Sequence, residues 1–499
     1  MELQFNRKPV SALNTGMREV RNMEQTQEIK LTDGMPDVGR VLAAWGQPVV
    51  RSKEWRGDEI ALSAGLMVWV LYAPEDDSGP RCVEGWIPFP FRWELPDRTP
   101  EGSIRIQCLP RFVDARSTSA RRLLIRAGMA ALAEALVPME AAVYQPGDMP
   151  EGIELLRSRY PMRLQKETGE KAFVLDEDLT LPESLPRPVK LVYASAGPEI
   201  TEQKVLSNKV VFRGNANLHI LYLAQDGGLY GWDFPLPFSQ YGDLDTGYSS
   251  DAQADTWLCV TNLEPDLEED GRLRLKCGLV GQYLIDDRAM LEVIEDAYSP
   301  GRELEVEREA LELPAILENR RELLRREQSL PAAAERIADV RFLPDFPRQR
   351  TVGESTILEF PGSIQVLCYG ENGALHTVNT RWEGNMELPA AENSRITAMT
   401  GMPPEPQITL GDGTVTVKSE LPVQLTTLAT SEIPMVTALR PGEAVEPDPG
   451  RPSLILRRAG QHRLWDIAKA SGSTVAAIQK ANGLTEEPQQ DQMLLIPVS

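Results

Sequence analysis

PVKLVYASAGPEITEQKVLSNKVVFRGNANLHILYLAQDGGLYGWDFPLPFSQY, residues 188–241, is strand material throughout. Within it, Ala216, Leu218, Ile220 and Tyr222 share one face, and Asn217 and His219 share the other. That period-2 alternation is the mark of a strand with one face in a core. On this pattern His219 belongs to a polar face, as a satisfied surface or edge histidine. The Asp226-Gly227-Gly228 turn that follows suits a hairpin.

The same pattern occurs three times. Val41 and Val70, Leu191 and Ile220, and Ile337 and Val366 are each separated by 29 residues. The apolar faces match: Val68, Val70, Tyr72; Leu218, Ile220, Tyr222; Ile364, Val366, Cys368. A basic residue follows each, Arg126 and Lys276 at 56 residues and Lys418 at 52. Three markers in one order at nearly fixed spacing predict three β-rich repeats. The expected fold is mainly β, with three tandem β-sandwich-like repeats and a small βααβ unit at the C-terminus.

The divisions that follow are a first repeat with an N-terminal arm or edge element (1–145), a connector (146–187), the second repeat (188–300), a helical connector (301–335), the third repeat (336–439), a Pro-rich linker (440–452) and a terminal unit (453–499). EGIELLRSRY, residues 151–160, reads as a short helix, and residues 316–328 as a charged one. Leu123–Ala127 aligns with strand, whereas Met129–Ala135 is ambiguous because its alanine and leucine content favours helix. Leu410-Gly411-Asp412-Gly413 predicts a hairpin. In the terminal unit, Leu464, Ile467 and Ala468 fall on one helical face, Val475 and Ile478 face inward on a second helix, and Gly472 and Gly483 stop the two helices.

A net charge of −22 and a pI near 4.8 argue against nucleic acid or an anionic membrane as the main partner and permit a basic protein. No apolar run approaches the length of a membrane span, so no membrane insertion is expected. The five cysteines, with no CxxC, read as buried reduced thiols. Asp243 and Asp245 lack a calcium-loop frame, so no metal is expected, and no cofactor motif is present. The three histidines are far apart, and phosphate-loop and nucleophile-elbow motifs are missing, so the chain reads as no enzyme.

Residues 454–498 resemble a LysM domain through Leu464–Ala468, the Thr474–Ala481 helix, Asn482-Gly483-Leu484 and Leu494–Pro497. The resemblance implies a groove for N-acetylglucosamine polymers such as peptidoglycan. The first loop departs from the family pattern: Gln461 replaces the usual Asp, Arg463 the small hydroxyl residue, and Asp491 a late glycine. Those departures favour a protein ligand over a glycan. The expected contact surface is Gly460, Gln461, His462, Arg463, Trp465, Asn482, Gly483 and Leu484, with core packing the alternative for Trp465. Arg457 and Arg463 are candidates to pair with acidic groups on a partner.

KVLSNKVVFRGNANLHILYL followed by DFPLPFSQY is similar to the SPOCS domain of endospore-forming Firmicutes. Several such modules before one LysM domain look like the SipL-type spore coat morphogenetic family. The resemblance implies a scaffold in the mother-cell cytoplasm at the forespore surface. It would bind the coat basement-layer ATPase, stage IV sporulation protein A, through its LysM domain. A peptidoglycan-binding wall or cortex anchor, and self-association through strand edges, stand as alternatives.

Overall fold

The computed structural model describes residues 3, 5–147, 151–390, 393–411, 413–445, 450 and 452–498. The chain begins with β1 (Phe5–Val10) and β2 (Leu13–Lys30), then a meander of β3 (Val38–Arg56), β4 (Glu59–Pro74) and β5 (Arg81–Glu94). β6 (Ser103–Ser119), β7 (Arg122–Pro138) and β8 (Ala141–Pro146) follow. β2, β7 and β6 form a second antiparallel sheet, with β2 on its edge, as the edge-element reading of residues 1–30 expects. Between the two sheets lies one core, built on Leu66, Val68, Val70, Phe89, Ile125 and Ala131. Each fully buried Leu, Ile or Phe side chain contributes about 1.5–3 kcal/mol.

The next stretch repeats this layout. β9 (Glu154–Leu179), β10 (Pro188–Leu206), β11 (Lys209–Ala224), β12 (Leu229–Asp243), β13 (Gln253–Leu267) and β14 (Leu273–Tyr298) give a β10-β11-β12 meander facing a β9-β14-β13 sheet. Ala216, Leu218, Ile220 and Tyr222 are all buried in the core between them. Gly227, at φ +80°, and the bond from Gly228 N to Asp226 Oδ1 at 2.8 Å make the predicted turn. Gly214 sits where a Cβ would collide with the Glu199 carbonyl oxygen.

The third sandwich uses β15 (Arg302–Pro331), β16 (Arg336–Pro344), β17 (Arg348–Val352), β18 (Ser355–Tyr369), β19 (Leu375–Pro389), β20 (Ser394–Thr400), β21 (Gln407–Gly411) and β22 (Thr414–Ala444). Here the first meander strand is broken into β16 and β17, which both pair with β18. Phe346, in the break, packs with Leu132 and Trp257 of the other two sandwiches. Asp412 of the predicted β21–β22 turn lies outside the described residues.

The three meanders share one register. Ala44 pairs with Val70, Ala194 with Ile220, and Val340 with Val366. The first strand of each has a register shift at the same place, between Val41 and Ala43, Leu191 and Tyr193, and Ile337 and Asp339. A bulge re-aims the side chains beside it, and these three lie where the meanders meet. A separate core there joins Trp45, Trp69 and Leu71 to Tyr193 and Leu221 and to Leu367. β9, β14, β15 and β22 also run past their own sandwiches. Their ends pack with β1 and β8 around Val143, Leu164, Leu291, Leu313 and Ile433. Leu3 N donates to Leu439 O at 3.0 Å, joining the start of the chain to the end of β22.

Both predicted connector helices are strands instead. Residues 151–160 enter β9, which pairs with β14, and residues 316–328 lie within β15, which pairs with β22. Their charges serve cross-strand pairs such as Arg325–Glu420 and Lys418–Glu327, so sheet pairing overrides local helix propensity. Residues 129–135 are also strand. Met129, Ala131, Ala133 and Ala135 face one core while Ala130 and Leu132 face another, and burial on both faces removes the alternation.

The expected linker begins as strand, from Arg440 to Ala444, and its residues 446–449 and 451 lie outside the described residues. β23 (Leu454–Arg458) and β24 (Met493–Pro497) then pair antiparallel around α1 (Leu464–Ser471) and α2 (Val475–Asn482). Thr474 Oγ1 accepts from Ala477 N at 3.1 Å to start α2. Gly472 and Gly483, both left-handed, end the helices. Among the described residues no helix is long and apolar enough to cross a membrane.

Candidate functional site

The terminal unit presents the first predicted loop outward. Gly460, at φ +62°, turns the chain, and its N donates to Gln490 O at 2.8 Å. Gln461 and His462 are exposed. Arg463 is the N-cap residue of α1 but its side chain makes no cap bond, and Glu487 Oε2 instead accepts from Leu464 N at 2.8 Å. Asn482 serves the unit's own fold: its Nδ2 donates to Ile478 O and Leu495 O, and its Oδ1 accepts from Leu495 N. Gly483 is the helix stop, and Leu484 packs into the same small core as Leu464 and Trp465. The two loops therefore share a core, and the exposed part of the predicted surface centres on Gln461 and His462.

Trp465 faces inward. It is 6% exposed and meets Tyr298, at the end of β14, edge-on at 4.8 Å between ring centroids. Its Nε1 donates to Asp296 Oδ2 at 2.9 Å, and Lys469 Nζ reaches the same oxygen at 2.6 Å. Tyr298 donates back to Ser473 O at 3.0 Å. Burial works against the Asp296 carboxylate, but the bonds from Lys469, Trp465 and Arg308 outweigh it and hold its pKa at about 2. Arg463 pairs with Asp466 at 3.4 Å and lies 4.0 Å from Glu295, so its acidic neighbours are in its own chain. The unit is docked on the sandwiches, and Trp465 belongs to that contact.

A second polar site lies where the meanders converge. His219 is buried, contrary to the surface or edge placement its alternation suggests, because the far face of β11 is covered at this end by the other sandwiches. Its Nδ1 lies 2.8 Å from Asp233 Oδ1 and its Nε2 lies 3.0 Å from Asp339 Oδ1. Asp339 and Arg341 come from β16, so this cluster bridges the second and third sandwiches. Arg341 stands over Tyr193, which stacks on Trp45 of the first. Burial pushes the Asp339 carboxyl up to about 8 and that of Asp233 up to about 7, with Glu405 adding to both. Asp339 and Arg341 carry the only sequence signal of this cluster, two charges in the apolar run IADVRF. Asp296 and Tyr298 carry none.

Cys368 Sγ lies 3.1 Å from His376 Nε2, the pairing a thiol nucleophile needs. Cys368 is fully buried and burial pushes its thiol up, away from the reactive thiolate. Cys368 occupies the position of Tyr72 and Tyr222, whose hydroxyls donate to Pro36 O and Pro186 O at 3.0 Å. Among the described residues no group of three or more His, Cys, Asp or Glu side chains could hold a metal ion.

These features define a β protein of stacked sandwiches with a small docked α/β unit. Residues 189–268 match the family model described as SipL, SPOCS domain. No curated protein and no solved structure matches the chain.

Proposed function

We propose that the chain is a non-enzymatic scaffold of spore coat assembly. It is built from three copies of the SPOCS module and a LysM-like terminal unit. The observation that carries this reading is the SPOCS match over 189–268, together with the meander register common to the three sandwiches. The terminal unit binds the coat basement-layer ATPase, stage IV sporulation protein A, with Gln461 and His462 as exposed contacts. The sandwiches hold that unit at the forespore surface in the mother-cell cytoplasm. The occupied inner face, which takes up Trp465, leaves affinity to the outer loop and its neighbours.

The test uses the full chain against two ligands in parallel, the purified ATPase and soluble peptidoglycan fragments. Binding to the ATPase alone, lost in a Gln461→Glu/His462→Glu variant that keeps its circular dichroism spectrum, supports the adaptor. Binding to peptidoglycan alone overturns it and makes the chain a wall or cortex anchor.

A further inference from the structure

Sixteen large apolar side chains are exposed among the described residues, and four of them lie together on the terminal unit. Leu454 and Leu456 of β23 are 51% and 62% exposed, and Met493 and Leu495 of β24 are 48% and 39%. Leu456 pairs with Leu495 and Arg458 with Met493, so the period of two puts all four on one face. Ile455, Leu494 and Ile496, on the other face, pack into the core with Leu464, Ile467 and Ile478 of the two helices. The outer face meets no such layer. A clustered apolar face on a protein surface marks an interaction site.

The two edges of this small sheet differ. On β24, Asn482 Nδ2 donates to Leu495 O at 2.6 Å and Asn482 Oδ1 accepts from Leu495 N at 2.8 Å, which closes that edge. Opposed residues of an antiparallel pair turn their N–H and C=O groups both inward or both outward. Since those of Leu495 turn away from β23, those of Leu456 turn away from β24, and Leu454 and Arg458 follow at steps of two. The sheet has two strands, so among the described residues no third strand takes up these groups. An open edge beside an apolar face is a template for one more strand.

The size of the edge selects the occupant. Five residues span about 17 Å, and so short an edge offers far less than the roughly 800 Å² per partner of a stable globular interface. It suits a peptide rather than a second copy of the chain. Charge selects its composition. Arg457 and Arg458 stand together at one end of β23, and Arg457 has no ion-pair partner among the described residues. Arg458 lies 3.7 Å from Asp491, whose side chain is 88% exposed, and so open a pair holds weakly. We propose that β23 takes up an extended peptide segment of a partner, apolar at alternate positions and acidic at the end beside Arg457 and Arg458. The site uses none of the residues assigned to ATPase binding, so either reading can fail alone.

The test is fluorescence anisotropy of the full chain with a labelled peptide that alternates valine and threonine between terminal glutamates. Saturable binding is expected. The counterpart with terminal lysines should bind severalfold more weakly, although the net charge of −22 favours it at long range. N-methylation of alternate peptide amides removes the inter-strand donors and should weaken binding about tenfold or more. Leu456→Pro removes the outward N–H, which an edge strand tolerates. It is expected to keep the circular dichroism spectrum and lose the peptide. Should that variant fail to fold, Arg457→Ser/Arg458→Ser decides, by abolishing the preference for glutamate. Absence of saturable binding overturns the site. Equal affinity for the lysine peptide overturns the acidic assignment, and binding untouched by N-methylation overturns strand addition. A concentration-dependent dimer in sedimentation, lost in Leu456→Pro, assigns the edge to a second copy and overturns the peptide.

Discussion

Trp465 donates its indole hydrogen to Asp296 across 2.9 Å, joining two residues 169 positions apart and fixing the terminal unit to the end of β14. Asp296 also receives Lys469 and Arg308, so one carboxylate gathers three donors. Asp296→Asn keeps the shape and removes the charge. The expected result is faster amide hydrogen exchange in α1 with unchanged exchange in the sandwich cores. Equal rates in both proteins would show that the edge-on packing with Tyr298 alone secures the unit.

The same carboxylate fixes a pH window. Its folded pKa, about 2, lies below the ordinary value of 3.8. A depressed carboxyl contributes stability above its unfolded pKa and loses it as pH falls through the folded one. Docking is therefore expected to hold from neutral pH down to about pH 4 and to weaken between there and about pH 2. Amide-exchange protection of α1 along an acid series checks this.

Asp339 gives the opposite slope. Its folded pKa is raised by burial to about 8, so the native state binds the proton more tightly than the unfolded chain. Stability falls as pH rises from the unfolded value and levels off above the folded one. The melting temperature is expected to drop between about pH 4 and about pH 8 and to level off above that. Asp339→Asn should flatten that drop and recover on the order of 1–3 kcal/mol at the alkaline end. A wild-type profile that is level across this range would place the proton on His219 instead.

Arg105 is 2% exposed and pairs with Glu134 at 3.0 Å and Asp255 at 2.9 Å, while its guanidinium lies 3.8 Å from the Trp257 ring centroid. Arg105→Ala leaves Glu134 buried with Arg18 as its remaining partner. A loss of about 3–5 kcal/mol in denaturant unfolding is expected. A loss under about 1 kcal/mol, the scale of a weak ion pair, would mean that Arg18 suffices.

Burial pushes the thiols of Cys82 and Cys277 up to about 12 and that of Cys259 up to about 11. Those of Cys108 and Cys368 are raised as well. All five should resist a thiol-specific reagent at pH 8 in the native protein and react together in denaturant. Rapid labelling of one native thiol would mark a local opening beside it.

Strands with one buried face are legible in sequence because alternation survives there, as at Ala216–Tyr222. The stretches 151–160 and 316–328 are not legible in the same way. β9 and β15 carry mixed charges on open faces, which local propensity reads as helix, and only pairing with β14 and β22 decides otherwise. In the terminal unit the caps Thr474, Gly472 and Gly483 are local, so both helices can be read from the chain itself. The partners of Trp465 and His219 cannot, since Asp296, Asp233 and Asp339 reach them only through the tertiary fold.

The bond between Leu3 and Leu439 sets an order in time. During synthesis Leu3 emerges early, yet the strand that secures it is made more than 400 residues later. At about 5–20 residues per second, that edge waits for tens of seconds. Each sandwich is able to close as its own strands leave the ribosome, but the packed ends of β1, β9, β14 and β22 assemble only after β22 has been made. A product truncated before β22 would leave that apolar layer uncovered.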